Sequence, residues 1–520
     1  MESLDHSSVH IKRLVALALI CVAVLQFALQ VGSLAKGVEY IVTSLTIDDT
    51  YYYLQTAWNT KRLGFPTFDG IHPTNGVQLL WFWVIVLIAV FSPTKTVLLF
   101  ITLIVCFLLN ALCYLIIWRL GRLVQRPTLT MCMSLLWMVL SLGTDVYSTG
   151  MESSLHAFVF WCMVWQAAVF LVRVQRNERP NLLALTTVLV LNAWARIDAG
   201  LFSVVLYGFC VARALRSRNL RLSVWQDAGY VGLSVLLATL GLVIQLLAFW
   251  SMGESWLPVS ALVKSSRQGW QLEMLKEWAG LAVYTVLPAL GLLLLRSRIQ
   301  MEEELRAFHS LGAYVLLGVL LHLIPTVSVG AHRWYIWYLS PIFIFWIIVL
   351  GLVIDGIERL VTRRMLEVFL QGMLMVGGGL AIIVSACFFV VRLDYRNPLY
   401  VARYKAARWM AANLPPDAVC ASWNAGQIGF FSERTVINMD GLINGIDYYN
   451  RVIRGDVSRL DYVYENGVGY LVDYKLEKRV PQKFPSLLEV PIRDESGERV
   501  QVWQVLAPNP TDGQSPGQGD

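Results

Sequence analysis

The chain has 520 residues, 56% hydrophobic and only 15% charged, with a net charge of +6 and a mean hydropathy of +0.56. An average soluble domain is about a quarter charged, so a soluble globular protein and a disordered chain are both excluded. The basic residues stand in short, separate loops between apolar runs, which argues against a nucleic-acid surface.

In chain order, the first apolar run extends from Leu14 to Ala35. It is longer than a signal-peptide core of roughly 7–15 residues and reads as a retained membrane anchor. Further spans are expected near 95–117, 127–144, 155–172, 181–195, 199–213, 228–250, 277–295, 310–329, 335–354 and 367–391. With the first run (13–35), the count is eleven. One more run, VQLLWFWVIVLIAVF at 77–91, has only 15 residues and is followed by SPTK. Runs this short are often re-entrant or interfacial.

Arginine clusters decide how that run is read. They fall at Arg119, Arg122 and Arg126; at Arg173, Arg176 and Arg179; at Arg213, Arg216, Arg218 and Arg221; at Arg296, Arg298 and Arg306; and at Arg359, Arg363 and Arg364. If 77–91 only dips into the bilayer, every cluster shares one face with Lys12 and Arg13, as the positive-inside rule requires. The N-terminus is then cytoplasmic and the C-terminus outside.

The same threading gathers the polar motifs on the outer face. SLTIDDTYYYLQTAWNT at 44–60 holds Asp48 and Asp49, and LGFPTFDGIHPTNG follows. The segment reads as an interfacial helix whose aromatics Tyr51, Tyr52, Tyr53, Trp58, Phe65 and Phe68 suit the headgroup layer. That would lay both carboxylates on the membrane surface, where one could act as a general base or help hold a divalent cation. The plain alternative is a solvated pair.

Glu152, in STGMESSLHAF, opens a span from outside; an N-terminal acid favoured by the helix dipole would look the same. Arg196 and Asp198 sit between two short spans, where ionisable groups are paired or functional. Lys264, His332 and Arg333 could meet a phosphate, or snorkel to the interface. Tyr335 belongs to the aromatic run beside Arg333, an interface belt or a cradle for a sugar face or lipid tail.

The tail, from about 392 to 507, is richer in Asp, Asn, Pro and Gly. AVCASW, TVINMD, GYLVDY and VQVWQVL read as strands and YVARYKAARWMAANLPPD as a helix, giving a small α/β domain. Residues 508–520 are expected to be disordered. Seven of the eight cysteines lie in apolar segments and Cys420 alone lies in the tail, so no disulfide framework is expected there. No P-loop, HExxH or CxxC pattern occurs, which removes support for nucleotide hydrolysis.

Three features together carry a resemblance: the Asp48-Asp49 pair in a first outer loop, the TFDG…PTNG…LW stretch at 67–81, and GME at 150–152. They resemble the GT-C superfamily of polytopic glycosyltransferases, to which protein O-mannosyltransferases and aminoarabinose transferases belong. ASWNAGQIGFFSERTVINMDGLIN at 421–444 is similar to an outer domain of bacterial members. The resemblance implies a mainly α membrane bundle over 1–391 with a C-terminal extracytoplasmic α/β domain. It implies a polyprenyl-phosphate-linked sugar donor and a glycan, lipid or protein acceptor at a bacterial plasma membrane. Asp48 or Asp49 would be the base, Glu152 the second-loop acid, and Arg196, Lys264 and Arg333 the groups facing the donor phosphate. Any Mg or Mn ion would rest on Asp48, Asp49 and Glu152. The competing reading is a secondary transporter or flippase for a sugar or a lipid-linked sugar, which predicts broken helices at the midplane and an internal repeat.

Overall fold

The computed structural model describes residues 2–176, 178–216, 224–266, 340–360, scattered positions from 372 to 391, and then 394–480, 482–493 and 497–506. The membrane part comprises helices α1 (Glu2–Leu34), α2 (Asp48–Leu63), α3 (Leu79–Phe91), α4 (Lys95–Val124), α5 (Pro127–Gly143), α6 (Ser153–Gln175), α7 (Leu182–Ala195), α8 (Gly200–Arg216), α9 (Val224–Gly253), α10 (Val259–Ser266) and α11 (Ser340–Leu360). Among the described residues, six helices are long and apolar enough to cross a membrane. Leu79–Phe91, Pro127–Gly143, Leu182–Ala195 and Ile382–Val391 are shorter apolar helices. This is a multi-pass membrane protein. The expected spans at 277–295 and 310–329 lie outside the described residues, as does the tail at 508–520.

The bundle has two chemically distinct ends. Helices α4, α6 and α8 run from motif residues toward arginines: Lys95 to Arg119 and Arg122, Ser153 to Arg173, Gly200 to Arg213 and Arg216. Helix α7 returns from the loop of Arg179 to Arg196. Lys95 and Arg119 are separated by roughly 36 Å of helix at 1.5 Å per residue, about a bilayer's thickness.

Helix α3 behaves differently. Its 13 residues span only about 20 Å. At its start, the Gln78 side chain accepts from the Ile197 N–H and the Gln78 N–H donates to the Tyr53 hydroxyl. Just beyond its end, the Ser92 carbonyl accepts from Lys61 and the Phe430 carbonyl accepts from Lys95. Both ends are therefore flanked by contacts to residues of the motif end.

The C-terminal domain is built from α12 (Pro398–Asn413), β1 (Val419–Ser422), α13 (Ala425–Phe431), β2 (Thr435–Asn438), α14 (Arg459–Glu465), β3 (Tyr470–Tyr474), β4 (Ser486–Pro491) and β5 (Arg499–Gln504). The strand order is β2-β1-β3-β5-β4. The first three strands are parallel, and β5 and β4 complete the sheet in antiparallel sense. Helix α12 starts on its own signals: the Asn397 side chain caps Leu399 and Pro398 occupies the first turn. Sequence patterning missed β4, whose hydrophobics are part-exposed at the sheet edge.

Candidate functional site

The tyrosines of helix α2 are covered by protein, where its sequence suggests aromatics laid against headgroups. Three consecutive tyrosines point about 100° apart around a helix, so all can be buried only if the helix is enclosed on several sides. That is what happens. Tyr51 packs on Phe430 and Phe431 of α13 with ring centroids 5.3 and 5.2 Å away. Tyr52 meets Phe68 edge-on at 5.5 Å, and all three tyrosines are buried. The helix is a wedge between the bundle and the C-terminal domain.

The loops around it are stitched together by the motif residues. Thr50 donates to the Thr149 carbonyl at 2.7 Å and the Trp81 indole donates to the Gly150 carbonyl at 3.1 Å. Gly150 has φ +88°, and a Cβ there would lie 2.7 Å from the Thr50 methyl. Asn75 of PTNG is a four-bond staple. Its amide donates to the carbonyls of Phe249, Ser255 and Leu257, and its carbonyl accepts from the Val259 N–H. It thereby fixes the end of α9 and the start of α10. Asp69 of TFDG folds its own turn by accepting from Ile71 and His72.

Glu152 and Arg196, distant in sequence, form one unit. The Arg196 Nη1 donates to Glu152 Oε1 at 2.7 Å, while Nε and Nη2 grip Asp198 bidentately at 3.0 and 2.9 Å. Arg196 and Glu152 are 2% and 3% exposed. The Glu152 Oε2 is buried, with the Tyr53 phenol beside the carboxylate. A guanidinium engaged on two carboxylates is suited to holding Glu152 in place.

Asp48 is turned away from solvent into the C-terminal domain. Its Oδ2 accepts from the Gly426 N–H at 3.2 Å and its Oδ1 from the Gln427 N–H at 2.9 Å, the first N–H groups of α13. The Arg403 guanidinium stands 3.9 Å from Oδ1. Burial pushes the Asp48 carboxyl up, opposed by Arg403 and these two donors.

Asp49 is part-exposed and faces charged neighbours from three other segments. Burial pushes its carboxyl up to about 7, against the pull of Lys264 and with added repulsion from Asp48, Asp440 and Glu152. One helical turn on, the Tyr52 hydroxyl donates to Asp440 Oδ2 and accepts from the Asn438 amide, both at 3.3 Å. Sequence reasoning did not single out Asp440, although the NMDGLIN turn that carries it was visible. Gln78, Asn75 and Arg403 were missed as well, because their partners lie far away in sequence.

The acids expected to share a divalent cation do not converge as a ligand set. Both Asp48 oxygens accept from backbone donors, and Glu152 Oε1 accepts from Arg196. No group of three His, Cys, Asp or Glu residues among the described residues could hold a metal ion. His332, Arg333 and Tyr335 lie outside the described residues.

The fold has solved counterparts. Over 94% of this chain and 97% of the other, it is similar to the crystal structure of ArnT from Cupriavidus metallidurans in the apo state, with a TM-score of 0.59 and 12% identity. The structure of the same protein bound to undecaprenyl phosphate aligns over the same shares with a TM-score of 0.56 and 12% identity. An Archaeoglobus fulgidus oligosaccharyltransferase tethered to an acceptor peptide aligns at a TM-score of 0.44 and 13% identity, over 88% of this chain and 69% of that one, too distant to carry an argument. Residues 394–513 match the family model described as "Domain of unknown function (DUF8728)". No curated protein sequence matches. The fold is therefore similar to that of ArnT.

Proposed function

We propose that this chain is an integral-membrane glycosyltransferase that moves a hexosyl or pentosyl group from a polyprenyl-phosphate donor to an acceptor hydroxyl, with Asp49 as base. The carrying observation is the contrast between the two adjacent carboxylates. Asp48 is consumed in holding the C-terminal domain. Asp49 is part-exposed beside Lys264, Glu152 and Asp440, with its carboxyl raised to about 7, the range in which a general base works best. The ArnT fold, seen elsewhere with undecaprenyl phosphate bound, supports a lipid-linked donor.

The chemistry follows from these groups. The Asp49 carboxylate takes the proton of the acceptor hydroxyl as its oxygen attacks the anomeric carbon. The bond from that carbon to the phosphate oxygen breaks, and its electron pair leaves on the lipid phosphate. One displacement inverts the anomeric configuration. A phosphate is a good leaving group already, so no strong general acid is needed. Lys264, and Arg333 from the sequence reading, would take up the charge developing on the phosphate. Glu152, held by Arg196, lies within the electrostatic surroundings of Asp49 and favours the positive charge developing on the sugar ring. By the positive-inside rule the arginine end would be cytoplasmic and the site extracytoplasmic, and the tail's resemblance to bacterial members supports a bacterial plasma membrane.

Mass spectrometry of envelope glycans and lipid-linked sugars tests this reading. A deletion strain should lose one sugar from an envelope product and accumulate its lipid-linked donor. Wild-type chain should restore the product and Asp49→Asn should not. Full restoration by Asp49→Asn rejects the assignment.

A further inference from the structure

Resting on the transferase reading above, we infer that the C-terminal domain completes the acceptor site, and that Asp440 binds a second hydroxyl of a polyhydroxylated acceptor beside the one facing Asp49. The inference starts from how the domain is docked. Asp48 accepts from the first N–H groups of α13, and a Cβ at Gly426 would lie 2.1 Å from the Asp48 carbonyl oxygen. Gly429 is close-packed as well, since a Cβ there would lie 2.7 Å from the Phe68 ring. The domain cannot slide along α2 without breaking these contacts, so whatever it presents at Asp49 is fixed in place.

What it presents is the turn at 438–444. Asn438 shapes this turn by accepting from the N–H of Gly441, while Asp440 Oδ1 accepts from the Leu442 N–H at 2.8 Å. The Tyr52 hydroxyl then ties Asp440 Oδ2 to α2. Residues three apart share a helix face, so Tyr52 and Asp49 point the same way and Asp440 stands over that face. Helix α10 closes the third side. Val263 packs at Gly441, and Val259 and Val263 form an apolar cluster with Tyr449 and Leu442, which brings the adjacent Lys264 to the same place.

Asp49, Asp440 and Lys264 are all part-exposed, come from three separate segments, and meet where the membrane part and the domain join. The buried Glu152 carboxylate belongs to the same electrostatic group. Two carboxylates and an ammonium offer acceptors and donors for neighbouring hydroxyls, the pattern that a sugar presents and a single isolated hydroxyl does not.

The test uses full-length protein in nanodiscs with two probes. Undecaprenyl phosphate binding, followed by native mass spectrometry, reads the donor side. Saturation-transfer NMR with methyl glycosides of mannose, glucose, galactose and arabinofuranose reads the acceptor side. Wild type should bind at least one glycoside. Asp440→Asn, nearly isosteric and keeping one oxygen for the Leu442 N–H, should weaken that binding about tenfold, the usual scale for one charged hydrogen bond, without changing undecaprenyl phosphate binding. Asp447→Asn, at an exposed position of the same domain, should leave both unchanged. Equal glycoside binding by wild type and Asp440→Asn overturns the inference, as does no glycoside binding by wild type. Failure of wild type to bind undecaprenyl phosphate counts instead against the transferase reading.

Discussion

Asp48 and Gly426 touch with no space for a methyl group between them: a Cβ at 426 would lie 2.1 Å from the Asp48 carbonyl oxygen. Gly426→Ala is therefore expected to prise the C-terminal domain off α2 while leaving the membrane bundle inserted. Limited proteolysis should cut the variant faster near Asp394–Asn397, and transfer should fall at least to about a tenth, as misplacement of a site by an ångström commonly costs far more. An undisturbed proteolysis pattern with full activity would contradict this docking.

Asp49 gives a pH dependence whose sign can be worked out. As a base it must be ionised, so transfer should fall as pH drops below about 7, and Asp49→Asn should lower kcat about 10²–10⁴-fold. Stability runs the other way. The carboxyl is raised from the ordinary 3.8, so the folded protein binds this proton more tightly than the unfolded chain. Stability is then full below the ordinary value and is lost as pH rises through about 7. Asp49→Asn should consequently raise Tm more at pH 8 than at pH 5, measured by thermal unfolding in nanodiscs.

Arg196 offers a separate test of whether Glu152 is held as an ion. Arg196→Met leaves a carboxylate that is 3% exposed without its cation, which typically costs about 3–5 kcal/mol. Adding Glu152→Gln to the same chain should recover part of the lost Tm, because the stranded charge is removed. If the double variant is less stable than Arg196→Met alone, the two residues do not act as a pair.

Asn75 distinguishes a staple from a spacer. Three carbonyls accept from its amide and one N–H donates to its oxygen. Asn75→Ala strands these groups at about 1–3 kcal/mol for each one left buried. Asn75→Asp should be worse than Asn75→Ala, because a second carboxylate oxygen would face three carbonyl oxygens. Comparing the Tm of the two variants decides the point.

Local signals were legible wherever a residue's partners lie close in sequence. The Arg196–Asp198 pair, the helix from Tyr400, four of the five strands and the shortness of 77–91 could all be read from the chain itself. Asp48 could not, because its partners Gly426 and Gln427 lie 378 and 379 residues away, and the local pattern pointed to a carboxylate on the membrane surface. The burial of Tyr51, Tyr52 and Tyr53 was hidden for the same reason. Aromatics at an interface and aromatics under a docked domain have one composition and differ only in what covers them. Strand β4 escaped because it lies at the sheet edge and none of its residues is buried.

The separation between Asp48 and Gly426 also sets a clock. At 5–20 residues per second, roughly 20–80 s of synthesis lie between the two. Throughout that interval the helices can insert, yet Asp48 lacks its two donors and Tyr51 lacks Phe430 and Phe431. A nascent molecule halted before α13 would thus be an inserted but inert bundle, so catalytic competence arrives only with the last fifth of translation.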